Sequence, residues 1–375
     1  MVLGNFILPQ WKSLWIPFFQ VSNFILQSTD FSSCRQISES DYLQLKNAGC
    51  IPQQGDILIG KDGARFFEDI IVYRQQEAPA LLSSIAILRC DEEKILPDFL
   101  YYMLKAPSFR KDVRENYGSG SAIPRIILKD FRRMPISYPA LGEQYKIVAL
   151  LSRFDRIIQN NNEINDNLAE MLQSIFQQRF SCFEQGVEHG FLADICDYSK
   201  DRIAVSSLTV SKYYSTENML PGKAGAVDAS SLPSIAQTTK CKVGDVLVSN
   251  IRPYFKKIVY CQSDCGCSTD VLCFSPKSSE LSAYLFSALY ADRFFDFMVA
   301  GSKGTKMPRG DKQQIMTYPI CIPSEAELEE FNELAHPILS QIESNRIENI
   351  SLAALRDGLL PKLMSGEIDV SDIQL

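Results

Sequence analysis

The chain has 375 residues, 46% of them hydrophobic and 22% charged, which excludes disorder over most of the length and favours two globular units plus connecting structure. A net charge of −7 argues against a uniformly basic nucleic-acid binder. The imbalance is local, however: ten acids and three bases between residues 324 and 369 account for all of it, leaving 35 acids against 35 bases elsewhere.

The opening MVLGNFILPQWKSLWIPFFQVSNFIL is apolar but interrupted by Pro9, Lys12, Pro17 and Gln20. It has no basic leader and no unbroken run of roughly 18 apolar residues, so neither secretion nor membrane spanning is expected and a cytoplasmic location follows. Gly55-Asp56-Ile57-Leu58-Ile59 reads as a turn entering a buried strand, Ile70–Tyr73 and Ile85–Leu88 as further strands, and Phe99–Val113 as a helix. A Gly-Ser loop, GSGSAIPR, spans residues 118–125.

From residue 144 a stripe at alternating steps of four and three, Ile147, Leu151, Phe154, Ile158, Asn161, Asn165, Leu168, Leu172 and Ile175, marks a heptad seam. The predicted helix runs over 141–180, roughly 60 Å at 1.5 Å per residue. A link with Gly186 and Gly190 follows.

The second half repeats the first. Gly244-Asp245-Val246-Leu247-Val248 echoes the first Gly-Asp strand, Ile258–Tyr260 and Val271–Phe274 read as strands, and Ser282–Val299 reads as a helix. GSKGTKMPR (301–309) matches the first Gly-Ser loop, with Pro308-Arg309 lying 184 residues after Pro124-Arg125. The same offset carries Ile136-Ser137-Tyr138-Pro139 onto Ile320-Cys321-Ile322-Pro323, and the seam onto Phe331, Ala335, Ile338, Ile342, Asn345, Asn349, Leu352, Arg356 and Leu359. Pro337 is expected to kink or delay this second helix.

A long helix with an apolar seam needs a partner, and the repeat supplies one. The expected fold is α+β: two similar mixed α/β domains separated by two long antiparallel helices in a coiled coil, an internal repeat with a pseudo-twofold axis. The boundaries are 1–140, 141–186, 187–323 and 324–375. Asn161 and Asn165 would then meet Asn345 and Asn349, fixing the register of the helices, the alternative being that these amides face solvent.

Eleven cysteines, an odd number without a disulfide framework, fit reduced thiols. Cys261, Cys265, Cys267 and Cys273 are dense, but their spacing matches no standard zinc pattern and the only histidines, His189 and His336, are remote, so no metal is expected. The Gly-Ser loops lack both the Walker and the dinucleotide fingerprints. No methyltransferase motif, nucleophile elbow or nuclease carboxylate cluster is found; Glu92-Glu93-Lys94 lacks an upstream aspartate.

Basic residues cluster instead at matched places. Lys61 and Arg65 follow the first Gly-Asp strand, and Arg125, Lys129, Arg132 and Arg133 follow the first Gly-Ser loop. Asn250, Arg252, Tyr254, Lys256 and Lys257 follow the second strand; Lys303, Lys306, Arg309 and Lys312 lie in and after the second loop. Lysines suit phosphates, while Arg and Asn make bidentate contacts to guanine and adenine edges. The alternative for any one of them is a solvated face.

The chain resembles the specificity (S) subunits of type I restriction-modification systems. In the first half the resemblance rests on Pro139 with Glu143-Gln144-Tyr145-Lys146-Ile147-Val148 and the Asn-bearing seam. In the second it rests on STENMLPGK (215–223), KVGDVLVSNIRPYFKKI (242–258), GSKGTKMPRGDK (301–312) and LRDGLLPKLMSGEI (355–368). The first 50 residues match the family poorly. The resemblance implies a non-catalytic chain whose two target-recognition domains each read half of a bipartite site in double-stranded DNA, with the helices as a ruler. Two methylation subunits would dock on the helices and modify adenine with S-adenosylmethionine. Restriction subunits would translocate and cut, so that S-adenosylmethionine, ATP and magnesium belong to partners and this chain holds no cofactor. The expected contacts are Lys61, Arg65, Ser119, Ser121 and Arg125 in the first domain, and Asn250, Arg252, Tyr254, Lys256, Lys303, Thr305, Lys306 and Arg309 in the second. A recognition subunit of a combined methyltransferase-nuclease, or a nuclease with an unrecognised site, are the alternatives.

Overall fold

Aliphatic and β-branched residues after a Gly-Asp turn should form a strand buried on both faces, and the chain builds one twice. The computed structural model describes residues 16–19, 24–25, 28–29, 35–63, 66–118, 124–180, 189–304 and 306–370, so Gly186 of the expected link lies outside the described residues. It divides into two units, Met1–Ile158 with Ile350–Leu375, and Gln159–Asn349.

Unit 1 contains β1 (Ile16–Phe19), β2 (Phe24–Ile25), β3 (Ser28–Thr29), β4 (Arg35–Ile37), α1 (Glu39–Asn47), β5 (Ile57–Gly60), β6 (Ile70–Val72), β7 (Ala80–Leu81), β8 (Ile85–Leu88), α2 (Pro97–Lys105), α3 (Pro107–Asn116), α4 (Leu128–Phe131) and the first part of α5 (Leu141–Arg179). β5 is the middle strand of an antiparallel sheet ordered β6-β5-β8, with Ile57 opposite both Val72 and Leu88. β1 pairs with β4 and β7, and β2 with β3. Alternate residues of β5 face opposite ways. Ile57 and Ile59 enter the main core with Phe67, Phe99 and Val113, while Leu58 joins Ile71, Tyr73, Leu81 and Ile85.

Unit 2 contains the rest of α5, then β9 (His189–Phe191), α6 (Leu192–Ile195), β10 (Cys196–Tyr198), β11 (Arg202–Ala204), β12 (Tyr213–Tyr214), β13 (Gln237–Cys241), β14 (Val246–Ser249), β15 (Ile258–Tyr260), β16 (Cys265–Cys267), β17 (Val271–Pro276), α7 (Ser282–Tyr290), α8 (Asp292–Ala300), α9 (Lys312–Met316), β18 (Pro319–Cys321) and the first part of α10 (Glu325–Met364). Its sheets are ordered β10-β17-β14-β15 and β11-β13-β16-β12, with β18 paired to β9. β14 lies between β15 and β17 as β5 lies between β6 and β8.

The helices expected over Phe99–Val113 and Ser282–Val299 are each two. Ala106 takes ψ 132° because Pro107 disfavours helical backbone in the residue before it. Ala291 is extended in the same way, at ψ 139°, with no proline to force it. Conversely, Pro337 is exposed within an unbroken α10. A proline inside a helix removes one backbone hydrogen bond and crowds the carbonyl four residues back, together costing about 3 kcal/mol, and burial of Ala335, Ile338 and Leu339 in the unit 2 core offsets it.

The heptad seam is buried or half-buried within each unit. In unit 1, Ile147 and Leu151 share a core with Leu360 and Leu363, and Arg356 of α10 forms an ion pair with Asp155 of α5. In unit 2, Leu172 and Phe176 pack with Phe331 and Ala335, and Arg179 pairs with Glu330 at 2.7 Å. In both units, contacts later in α5 meet residues earlier in α10, so the paired segments run antiparallel.

Cys261, Cys265, Cys267 and Cys273 pack with Cys241 in an apolar cluster, and no group among the described residues could hold a metal ion. The expectation of wholly reduced thiols is corrected at Cys321, which is disulfide-bonded. Among the described residues no helix is long and apolar enough to cross a membrane.

Candidate nucleic-acid interface

The two Gly-Asp turns have the same construction. Gly55 and Gly244 both take φ +86°, a left-handed backbone that favours glycine. Each following aspartate is buried and caps its own turn, Asp56 accepting from the Gln53 N–H at 2.7 Å and Asp245 from the Lys242 N–H at 2.8 Å. Burial pushes the Asp245 carboxyl above the usual carboxylate range, against the pull of the Lys242 amide and the Cys273 thiol. Asp56 instead receives two hydrogen bonds from Arg89.

Beyond these strands the chain meets its Pro-Arg loop, again in both units. In unit 1, Asp62 pairs antiparallel with Arg125, the Gly63 N–H donates to Pro124 O at 2.9 Å, and the Ile126 N–H donates to Lys61 O at 2.9 Å. In unit 2, Ile251 pairs antiparallel with Arg309, the Arg252 N–H donates to Pro308 O at 2.8 Å, and the Gly310 N–H donates to Asn250 O at 3.3 Å. The loop of residues 303–309 is closed on itself by reciprocal Lys303 and Arg309 backbone bonds of 2.9 and 3.0 Å.

A third segment completes the surface of unit 2. Within STENMLPGK, Thr216 O accepts from Lys257 Nζ at 2.6 Å, the Gly222 N–H donates to Phe255 O at 2.8 Å, and the Lys223 N–H to Lys256 O at 2.9 Å. The turn Pro253–Phe255 is flanked by Arg252 at φ +50° and Lys256 at φ +51°, conformations that cost a non-glycine residue roughly 1–2 kcal/mol. Such strain persists where the surroundings over-determine it, often at binding sites.

The candidate side chains divide by exposure. Tyr254, Lys303, Lys306 and Arg309 are exposed, and Arg252 is half-buried with Nε lacking a partner. Asn250 is 7% exposed, its Oδ1 also without a partner among the described residues; a Cβ at Gly310 would stand 2.9 Å from that oxygen. Lys256 and Lys223 share Asp292, at 3.0 and 2.6 Å, and these bonds hold the Asp292 carboxyl below its usual range. Lys303 does the same to Asp311 at 2.6 Å, assisted by the Gln313 and Gln314 amides. In unit 1, Lys61 is half-buried, 3.4 Å from Asp62, and Arg125 is exposed. Arg65, Ser119, Ser121 and Thr305 lie outside the described residues.

Asp270 was not among the sequence candidates, yet its carbonyl takes the Asn250 N–H at 2.8 Å and its carboxylate meets Arg309 at 3.1 Å. It stands 20 residues beyond Asn250, and only the pairing of β14 with β17 brings the two together. Lys223 carried a fainter signal, as the one base in STENMLPGK. The assembled surface carries exposed Lys303, Lys306 and Arg309 beside exposed Tyr254 and half-buried Arg252, side-chain types that are able to meet phosphates and base edges.

The profile of the type I restriction modification DNA specificity domain matches residues 16–170. That span takes in much of the first 50 residues, which the sequence reading set apart from the family. The type I restriction enzyme MjaIX specificity subunit of Methanocaldococcus jannaschii is 22% identical over 312 residues, 75% of this chain and 71% of that protein. A putative type I restriction enzyme specificity subunit of Haemophilus influenzae is 24% identical over 170 residues, 45% of this chain and 40% of its own length. The type I restriction-modification system S subunit from M. genitalium shares the fold, with a TM-score of 0.51 at 17% identity, covering 97% of this chain and 91% of that one.

Proposed function

We propose that the chain is a specificity subunit of a type I restriction-modification system, the family whose domain it matches over residues 16–170 and whose MjaIX member it resembles over 75% of its length, and that it reads a bipartite target in double-stranded DNA without itself performing chemistry. The carrying observation is the loop pairing made twice, Asp62 with Arg125 and Ile251 with Arg309. A duplicated surface suits two half-sites. The recognition domains are residues 1–140 and 187–323, and the helical segments 141–186 and 324–375 set the spacer and take the methylation subunits. Arg252, Tyr254 and Arg309 face the bases, Lys303, Lys306 and Thr305 the phosphates, while Asn250 holds the loop and Lys256 is released from Asp292 on binding. Lys61, Arg65, Ser119, Ser121 and Arg125 serve the first half-site.

Two methylation subunits supply S-adenosylmethionine chemistry at adenine, and restriction subunits supply ATP- and magnesium-dependent translocation and cleavage, all in the cytoplasm. Changing Arg252→Ala should weaken target binding by about 1–3 kcal/mol, as expected for an arginine on a base edge, in a titration of target duplex with the assembled methyltransferase. The chain alone, given duplex and a divalent metal, should neither cut nor methylate. Cleavage by the chain alone, or unaltered affinity and specificity in the variant, would overturn the reading.

A further inference from the structure

A cleft of about 760 Å³ opens on unit 1 beside α2, α3 and the C-terminal part of α10. Its lining bears Lys105, Arg110, Lys111, Arg114 and Arg356, with Glu68, Glu115 and Asp357 on the same walls. Each carboxylate already has a cation: Glu68 pairs with Arg114, Glu115 with Lys111 at 3.9 Å, and Asp357 with Arg356 at 2.8 Å.

Among the described residues, two of these cations make no ion pair with a carboxylate. Lys105 Nζ donates to Tyr101 Oη at 2.9 Å and lies over that ring. Arg110 donates from Nη2 to the Glu68 carbonyl at 3.1 Å, and its buried Nε has no partner. Burial pushes the Arg110 guanidinium down from its ordinary range. A guanidinium stays charged in proteins, so holding it half-buried without a direct ion pair is costly, a cost that the nearby Glu68 carboxylate, itself paired with Arg114, offsets only in part. The first turn of α3, opened by Pro107 and uncapped by any side chain, adds its amide end to the same region.

The internal repeat shows that the fold does not require this charge. Arg110 is the fourth residue of α3, and the fourth residue of α8 is Phe295, buried; Lys105 closes α2 where Tyr290 closes α7. Unit 2 is therefore built with rings where unit 1 keeps cations. We propose that this cleft binds a phosphate group, held by the Arg110 fork and Lys105. The cleft is larger than one phosphate and admits a phosphate ester.

The test is calorimetric titration of the full chain with inorganic phosphate at an ionic strength fixed with chloride, followed by competition with a duplex lacking the target. Saturable phosphate binding is expected. Arg110→Met should weaken it at least about tenfold, the loss of one charged hydrogen bond, while melting no lower than wild type in phosphate-free buffer because a half-buried charge without an ion pair has gone. Lys105→Gln should weaken it as well. Displacement by duplex assigns the phosphate to a DNA backbone; no displacement assigns it to a free phosphate compound. No heat beyond that of chloride, or undiminished binding in both variants, overturns the proposal. Arg252→Ala should keep phosphate binding intact, so failure here and failure of the recognition reading are separable.

Discussion

Gly310 shows how much of the candidate interface depends on what a side chain would displace. Added at this position, a methyl group would stand 2.9 Å from Asn250 Oδ1, 2.9 Å from Ile315 Cδ1 and 3.2 Å from Met298 Cε. All three atoms end buried side chains, so these side chains or the loop carrying Gly310 must shift. Gly310→Ala should therefore lower stability by about 1–3 kcal/mol, the usual cost of overpacking, and reduce target binding several-fold by moving the loop that carries Arg252. Denaturant unfolding and duplex titration of the same variant check both effects; full binding with lowered stability would detach Asn250 from the interface. At this scale the sequence was a partial guide. Basic residues after the Gly-Asp strands were visible as clusters, but the burial of Asn250 and the bond between Asp270 and Arg309 depend on neighbours 20 to 60 positions away, for which no local pattern exists.

Among the elements, the paired helices were the most legible, because a step of four and three states which face is apolar regardless of what covers it. Within unit 2 the four seam asparagines bond one another across the pair. Asn161 Nδ2 donates to Asn349 Oδ1 and to Glu348, both at 2.9 Å, and Asn345 Nδ2 donates to Asn165 Oδ1 at 2.8 Å. Asn165 Nδ2 in turn reaches Ile342 O at 3.3 Å. Asn345→Leu should cost about 1–3 kcal/mol by orphaning the Asn165 oxygen. Replacing Asn165 and Asn345 together with leucine should recover most of that loss, since both ends of their shared bond go together and the Gln341 amide, which donates to Asn345, is exposed to water. A double-mutant cycle on unfolding free energies measures the coupling; strict additivity of the two losses would mean that the amides do not depend on one another. Helix ends were less legible. The break at Ala106 was signalled by Pro107, whereas the matching break at Ala291 has no such residue, and Pro337 failed to break α10 because the apolar residues flanking it are buried.

For the whole molecule, the repeat carries the functional reading. Its offsets align Gly55 with Gly244 and Arg125 with Arg309, and the two units make the same strand, turn and loop pairings at those places. Repetition of this kind was readable because it compares the chain with itself, while the use made of each copy was not, since the two copies differ in the side chains they present. Arg110 opposite Phe295 is one such difference. The direct test maps methylated adenines in host DNA carrying the wild-type gene, a variant with Lys61 and Arg125 changed to alanine, and a variant with Arg252 and Arg309 changed to alanine. The account predicts a motif in two parts, with each variant relaxing a different part and leaving the other intact. A single undivided motif, or the same bases relaxed by both variants, would contradict it.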